Sequence, residues 1–262
     1  MIGPVTVYQQ DHADLRLEWG LEGVHALAAC AVLVVVDVLS FTTTVDIALG
    51  RGARVLPLPW RDERAAEAAR AAGATLTSSG LAETDRQAGL RADPGHGWTL
   101  RPSSLVELPS GTFLAISSPN GATLSAAAAK TGATVLAGCL RNATAVAAAA
   151  ADIAGDRSVG IVPSGERWRD TPEKRMRPGI EEILGAGAIA AAVGGRRAPS
   201  AEAELAALTY RAAGERVPEL VTESVSGREL VEAGVPDDVR LATEIDASAV
   251  VPLLTDGVFA AR

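Results

Sequence analysis

The stretch Ala31-Val-Leu-Val-Val-Val-Asp-Val-Leu-Ser-Phe-Thr-Thr-Thr44 decides the fold. Its first six residues are apolar and mostly β-branched, which is typical of a strand buried on both faces of a sheet. Asp37 stands at the end of that strand, and hydroxyl residues then open a helix that we predict to continue to about Gly50. A buried strand, a polar turn and a helix together form the unit from which α/β proteins are built.

The same alternation of strand and helix continues along the chain. The patterns predict strands at 55–58, 112–117, 135–137 and 159–163, and helices at 62–72, 121–130, 142–153, 179–193 and 201–213, followed by two shorter helical pieces. This order favours a three-layer α/β/α architecture, with a mostly parallel sheet covered by helices on both faces.

Part of the pattern occurs twice. Gly52-Ala-Arg-Val-Leu56 matches Gly132-Ala-Thr-Val-Leu136, and the same offset superposes Asp37 on Ser117 and Ser40 on Asn120. We therefore predict internally duplicated strand-loop-helix-strand units whose polar turns face one cleft. We predict a single domain over 1–262, and division into two pseudo-repeated halves, about 30–110 and 111–262, is the alternative.

Composition excludes several classes of function. The chain has 262 residues, a net charge of −8 and only 3% aromatic residues, which argues against a nucleic-acid partner. The longest apolar run, near 26–36, is too short to span a membrane, and residues 1–10 do not resemble a signal peptide, so we expect a cytoplasmic protein. We interpret Cys30 and Cys139, which lie beside apolar runs, as buried and unreactive thiols.

Candidate ligand-binding groups follow the first strand, at the position where ligands bind in open α/β sheets. Asp37 is followed by the hydroxyls of Ser40, Thr42, Thr43 and Thr44 at a helix N-terminus, where unpaired N–H groups and the helix dipole suit a phosphate. Simple capping of the helix is the alternative, but it needs only one hydroxyl.

Three further turns carry polar side chains after predicted strands. The first contains Ser118, Asn120 and Gly121, the second Arg141 and Asn142, and the third Glu166 and Arg167. Two adjacent acids, Glu181 and Glu182, begin a later helix and are candidates as well. Turn chemistry, capping and compensation of the helix dipole are the alternatives. Carboxylates gathered at one sheet edge with Asp37 would suit Mg²⁺, which prefers oxygen ligands.

Other phosphatase and nucleotide motifs are missing from the sequence. Neither cysteine has an arginine six residues later, Asp37 is not part of an Asp-x-Asp pair, and no P-loop occurs. Gly185-Ala-Gly-Ala-Ile-Ala190 fits a dinucleotide fingerprint, but it follows residues that already look helical. We interpret its small residues as a site of close helix packing.

These motifs resemble those of the magnesium-dependent 2-phosphosulfolactate phosphatases over about Val32 to Leu254. The resemblance is carried by residues 36–44, 118–121, 138–146, 181–189 and 226–239. It implies a phosphoric monoester hydrolase that converts 2-phosphosulfolactate to the hydroxy acid and phosphate in coenzyme M biosynthesis. It also implies Mg²⁺ as cofactor and a small phosphorylated anion as substrate. By analogy alone we expect a homodimer.

By position, the resemblance assigns to the site Asp37, Thr42–Thr44, Asn120, Asn142 and Glu182. Our hypothesis is that Asp37 and Glu182, with Glu166, hold the metal and catalyse, while Arg141 or Arg167 and the helix N-termini hold the phosphate. The first motif departs from the family, because Ser40 and Phe41 replace Arg-Ala; Arg101 is our candidate for the missing charge. Two alternatives stay open, namely a non-catalytic phosphate-ligand-binding homologue and a phosphatase with Asp37 as nucleophile.

Overall fold

The computed structural model describes residues 7–78, 97–168, 175–195 and 197–262. The strands within them are β1 (Leu15–Leu17), β2 (Val32–Val36), β3 (Arg54–Leu58), β4 (Thr75–Leu76), β5 (Phe113–Ser117), β6 (Thr134–Gly138), β7 (Val159–Pro163), β8 (Glu166–Arg167), β9 (Met176–Arg177), β10 (Pro252–Thr255) and β11 (Val258–Ala261). The α-helices are α1 (Gly20–Ala26), α2 (Phe41–Gly50), α3 (Glu63–Ala72), α4 (Gly121–Ala129), α5 (Ala143–Ala154), α6 (Ile180–Val193), α7 (Ala201–Ala213), α8 (Val217–Glu223), α9 (Val225–Glu232) and α10 (Pro236–Ala242).

Nine of these strands form one sheet, in the order β1-β7-β2-β6-β10-β11-β3-β5-β4. Strands β1, β7, β2 and β6 are parallel to one another, and so are β3, β5 and β4. The antiparallel hairpin β10–β11 lies between the two groups and pairs antiparallel with both. The two groups therefore run in opposite directions.

The two units predicted to be duplicated have the same order of elements, β2-α2-β3 and β5-α4-β6. Their pairing is crossed, because β2 pairs with β6 and β3 pairs with β5. The first strand of each unit thus lies beside the second strand of the other. A pseudo-two-fold axis normal to the sheet, passing through the central hairpin, describes this arrangement.

Side-chain alternation along β2 divides the core between the two faces of the sheet. Val32, Val34 and Val36 pack with buried residues of α5, α6 and α7, whereas Leu33 and Val35 pack with those of α1, α2 and α4. The predicted three-layer α/β/α architecture is therefore confirmed, with the sheet as its middle layer. No helix in the described residues is long and apolar enough to cross a membrane.

The C-terminal region differs from the prediction of two short helical pieces. The structure has three helices there, α8, α9 and α10, followed by the hairpin at the centre of the sheet. Asp256 and Gly257 form the hairpin turn with φ of 50° and 80°. Two consecutive positive φ values fit the two-residue turn for which Asp-Gly is a strong signal, so the sequence did contain a sign of this hairpin.

The Gly-x-Gly-x-x-Ala stretch lies inside α6, and its interpretation as a packing site is confirmed. A Cβ added at Gly187 would lie 2.2 Å from the backbone oxygen of Ala206 in α7. Glycine therefore lets the two helix backbones approach closely.

Candidate active site

Asp37 lies at the end of β2, where the turns of the two repeated units meet. Its carboxylate is buried, and Oδ2 accepts a 2.7 Å hydrogen bond from the Gly121 N–H at the start of α4. Its Oδ1 accepts from the Phe41 N–H at the start of α2, at 3.4 Å. A Cβ at position 121 would lie 2.7 Å from Oδ2, so glycine makes room for the carboxylate. Two helix N-termini thus converge on one acid.

Three further carboxylates share the electrostatic environment of Asp37. They are Glu166, at the start of β8, and Glu181 and Glu182, in the first turn of α6. Burial raises the pKa of Asp37 to about 7, and the charges of Glu166 and Glu181 contribute. Burial also raises the pKa of Glu182 well above its ordinary value, with contributions from Glu181, Asp37 and Glu166. The carboxylates predicted from the sequence thus lie near enough to influence one another's pKa, and their joint role in a metal site stays a prediction.

The oxygens of Glu181 and Glu182 lie over the N-terminus of α6. A Cβ at Gly179, the N-cap of this helix, would lie 1.7 Å from Glu182 Oε2 and 2.8 Å from Glu181 Oε1. Both carboxyl groups are buried, and a side-chain hydrogen bond with Glu181 is among the causes that raise the pKa of Glu182. Burying a carboxylate is costly, and a shared proton or a hard divalent cation lowers that cost.

If a cation such as Mg²⁺ binds here, the oxygens of Asp37, Glu182 and Glu166 are the ones that would hold it. In the described part of the chain, no three acidic, histidine or cysteine side chains are already arranged as a metal site. The feature that suits such a cation is the space that Gly179 and Gly121 leave for carboxylates.

The hydroxyls of Thr42, Thr43 and Thr44 are fully buried and bonded to the main chain. They donate to the carbonyl oxygens of Asp37 and Val38, each at 2.8 Å, and to Leu100, at 2.9 Å. The hydroxyl protons are therefore already used to shape the turn. These hydrogen bonds stabilise the turn after β2, and the contact of the threonines with substrate stays a prediction.

Arg141 and Asn142 also have their polar atoms engaged. The Arg141 guanidinium donates to Asp46 Oδ2 at 2.9 Å and to Glu244. The fully buried Asn142 accepts from the Cys139 N–H at 2.9 Å and donates to the Val250 carbonyl at 3.2 Å. These contacts hold the segment before β10 against the rest of the protein, and the role of Arg141 and Asn142 in binding phosphate stays a prediction.

The remaining predicted residues are partly or fully exposed to solvent, or form hydrogen bonds within the turns. Ser40 and Asn120 are the partly exposed N-caps of α2 and α4, and neither side chain caps its own helix. Ser118 is buried, and its hydroxyl accepts from the Asn120 N–H at 3.3 Å. Arg167 is exposed in the two-stranded ribbon β8–β9.

The Arg101 side chain does not replace the arginine missing at position 40. It forms a buried ion pair with Asp238 of α10 at 3.2 Å, and the Ser103 N–H donates to the same carboxylate at 2.9 Å. The expected substitution of one charge for the other is therefore not supported. The thiols behave as predicted, since both are buried and burial raises the pKa of Cys139 to about 12.

The sequence analysis placed Glu181 among the candidate carboxylates, with compensation of the helix dipole as the alternative, but did not predict its burial. The composition of α6 indicates that burial, because the helix is apolar on all sides except for this pair of acids. Because a helix that is apolar on all sides is buried, its acidic residues are expected to be buried too.

The buried Asp37 therefore lies beside two helix N-termini at a strand end of an α/β sheet, which is where such sheets commonly bind ligands. A family model described as 2-phosphosulpholactate phosphatase matches residues 21–257. The chain belongs to this family and is a phosphoric monoester hydrolase of small phosphorylated substrates. This confirms the resemblance found in the sequence.

Proposed function

We propose that this phosphatase hydrolyses a small phosphorylated hydroxy acid, such as 2-phosphosulfolactate, in a reaction that depends on Mg²⁺. The observation that carries the proposal is the group formed by the buried carboxylates of Asp37 and Glu182 and the partly buried Glu166, beside the N-termini of α2 and α4. Asp37 and Glu182, with Glu166, would hold the cation. When bound, a divalent cation neutralises charge on the phosphoryl oxygens and lowers the pKa of a water molecule.

Protein groups around Asp37 would bind and orient the substrate. The N-termini of α2 and α4, which are the positive ends of the two helix dipoles, both face Asp37, and this arrangement favours binding of an anion. Ser40 and Asn120 stand at the two N-caps and offer a hydroxyl and an amide as donors. Ser40 supplies one neutral donor where the family motif has a guanidinium, so we expect weaker selection for a second anionic group, such as a sulfonate.

The burial of the site would assist these residues. Asp37 is 3% exposed and Glu182 is 1% exposed, so water has little access to their carboxylates. Interactions between charges are stronger in such an environment than at the surface. The N–H groups of Gly121 and Phe41 hold the Asp37 carboxylate in one orientation.

Phosphate release is the experiment that tests the proposal. It would be measured from 2-phosphosulfolactate and a panel of phosphorylated hydroxy acids, with Mg²⁺ and with chelator. We expect release that requires the metal. The Asp37→Asn variant should lose at least about 10- to 100-fold in activity, the loss typical of weakened metal sites. An Asp152→Asn variant, which changes a mostly exposed carboxylate, is the matched control and should retain activity.

Other outcomes would decide between the alternatives. Full release in chelator would contradict the dependence on Mg²⁺. A folded wild-type protein that binds these compounds but releases no phosphate would favour the non-catalytic homologue. A trapped phospho-aspartate at Asp37 would favour the aspartyl-nucleophile mechanism over the attack of water.

A further inference from the structure

Arg177 lies on the two-stranded ribbon β8–β9, beside the candidate site. The ribbon follows β7, whose end lies next to the end of β2, because the Ser164 N–H donates to the Val36 carbonyl at 2.8 Å. In the ribbon, Arg177 pairs in register with Glu166, whose charge helps to raise the pKa of Asp37. Arg177 is therefore the cross-strand neighbour of a carboxylate that acts on the centre of the site.

The guanidinium of Arg177 forms no ion pair within the described residues. The side chain is partly buried, and its Nη2 atom donates to the neutral Ser226 Oγ at 3.1 Å. Neutralising the neighbouring Glu166 would explain an arginine here, since side chains directly opposite each other in antiparallel strands are close, but the guanidinium contacts Ser226 instead. Other arginines shielded from solvent do pair with carboxylates, namely Arg16 with Asp11, Arg101 with Asp238 and Arg141 with Asp46. Because a shielded charge is normally paired, Arg177 suits an anion that the described chain does not supply.

Stabilisation of a helix does not account for this arginine. Ser226 lies in the first turn of α9, where the N-cap Ser224 accepts from the Gly227 N–H. Cations stabilise the C-terminal end of a helix and not its N-terminal end, so the guanidinium does not complement the dipole of α9. Ser226 is 5% exposed, and its hydroxyl holds one N–H donor of the guanidinium. Other N–H donors of the same group remain for a ligand.

We propose that Arg177 binds the carboxylate of a phosphorylated hydroxy acid whose phosphate lies at the N-termini of α2 and α4. This inference rests on the proposed function, because it concerns the substrate of the same site. The planar guanidinium suits a carboxylate, which it can bind through two parallel hydrogen bonds. Ser226 then acts as a positioning residue, which gives a role to the segment 226–239 that helps to carry the family resemblance. Because Ser40 is neutral, Arg177 supplies a positive charge that the N-terminus of α2 lacks.

Phosphate release from a matched pair of compounds tests the inference on the full chain with Mg²⁺. The compounds 2-phosphoglycerate and glycerol 2-phosphate share one carbon skeleton, and the first has a carboxylate where the second has a hydroxymethyl group. We expect the wild type to prefer 2-phosphoglycerate. In Arg177→Gln, kcat/KM for 2-phosphoglycerate should fall about 10- to 100-fold, mainly through KM, the loss expected when a hydrogen bond to a charged group is removed. The values for glycerol 2-phosphate should stay nearly unchanged.

Arg175→Gln is the matched control, because it removes the same charge from an exposed position next to β9, and it should keep the wild-type preference. Equal losses for both compounds in Arg177→Gln would mean that Arg177 only supports the fold, and they would overturn the inference, as would an unchanged preference. If Arg177→Gln does not fold, Arg177→Lys keeps the charge but lacks the planar fork. A weaker preference for 2-phosphoglycerate in that variant supports the inference, and the wild-type preference overturns it.

The inference and the proposed function can fail separately. Phosphate release with a preference that does not depend on Arg177 would refute only the inference. If the wild type releases no phosphate from either compound, the proposed function is refuted for this pair, and calorimetric dissociation constants for the same two compounds replace KM. Tighter binding of 2-phosphoglycerate that Arg177→Gln abolishes would then support the inference, and equal binding of the two compounds, or binding of neither, would overturn it.

Discussion

Replacing Arg141 with methionine should cost the protein much of its stability and little of its affinity for substrate. The Arg141 guanidinium is 12% exposed, and the Asp46 carboxylate that it contacts at 2.9 Å is 1% exposed. The same guanidinium donates to the Leu241 carbonyl at 3.0 Å. After the substitution, Asp46 would retain the 2.6 Å hydrogen bond from Ser248 but lose the cation that pairs with its carboxylate.

The size of the effect follows from the burial of Asp46. Burial raises the pKa of Asp46, although hydrogen bonds from Ser248 and Arg141 act in the opposite direction. The carboxylate is thus costly to bury even when it is paired. Removing one partner of a buried ion pair typically costs about 3 to 5 kcal/mol. For a chain of this size, that corresponds to a decrease of roughly 10 °C in the midpoint of thermal unfolding.

Urea unfolding and steady-state kinetics would be measured on the same preparations. The double variant Asp46→Asn/Arg141→Met should recover part of the lost stability, because it removes the unpaired charge. Arg64→Met removes the exposed pair of Arg64 with Asp62 and serves as the control, with little change expected. A large increase in KM with unchanged stability in Arg141→Met would refute this reasoning and restore Arg141 as a phosphate ligand.

Three further predictions concern the pH profile, the packing and the thiols. Burial raises the pKa of Asp37 from 3.8 to about 7. In chelator, the protonated Asp37 side chain therefore contributes its full stability below pH 3.8, and this contribution is lost as the pH rises through about 7. Urea unfolding across this range should show that decrease, and Asp37→Asn should flatten it. Gly187→Ala should lower the free energy of unfolding by about 1 to 3 kcal/mol, because its Cβ would meet the Ala206 carbonyl; a chemical denaturation curve checks this. Cys30 and Cys139 should react with a thiol reagent only after unfolding, which a colorimetric assay with and without denaturant would show.

The strands and helices around Asp37 could be predicted because local pattern determines them. The apolar run of β2 is buried along its whole length, and the strand-end position of Asp37 follows directly from it. The hairpin β10–β11 was missed although Asp256 and Gly257 mark its turn, because its two strands have only four residues each. Its place at the centre of the sheet depends on pairing with distant strands, which local sequence does not reveal.

The site was less predictable than the fold for a related reason. Sequence shows which side chains can donate a hydrogen bond, but not whether tertiary contacts already use the proton. The hydroxyl of Thr43 and the guanidinium of Arg141 are donors that suit a phosphate. In the structure, however, they donate to the Val38 carbonyl and to the Asp46 carboxylate. Glu181 presents a different case, because compensation of the helix dipole is an ordinary explanation for an acid at this position, and the structure shows it to be fully buried.

The departure at positions 40 and 41 is a change of packing as well as of charge. Phe41 is fully buried, and its ring makes an edge-on contact with Phe259 of the central hairpin, with centroids 6.3 Å apart. On its other side, the ring lies so close to Gly121 that a Cβ there would be 2.3 Å from it. The Phe41 N–H also donates to Asp37. One residue therefore connects the last strand of the chain, the start of α4 and the central carboxylate. Because Ser40 precedes it directly, the exchange of Arg-Ala for Ser-Phe removes a cation from the site and adds an aromatic ring beneath it.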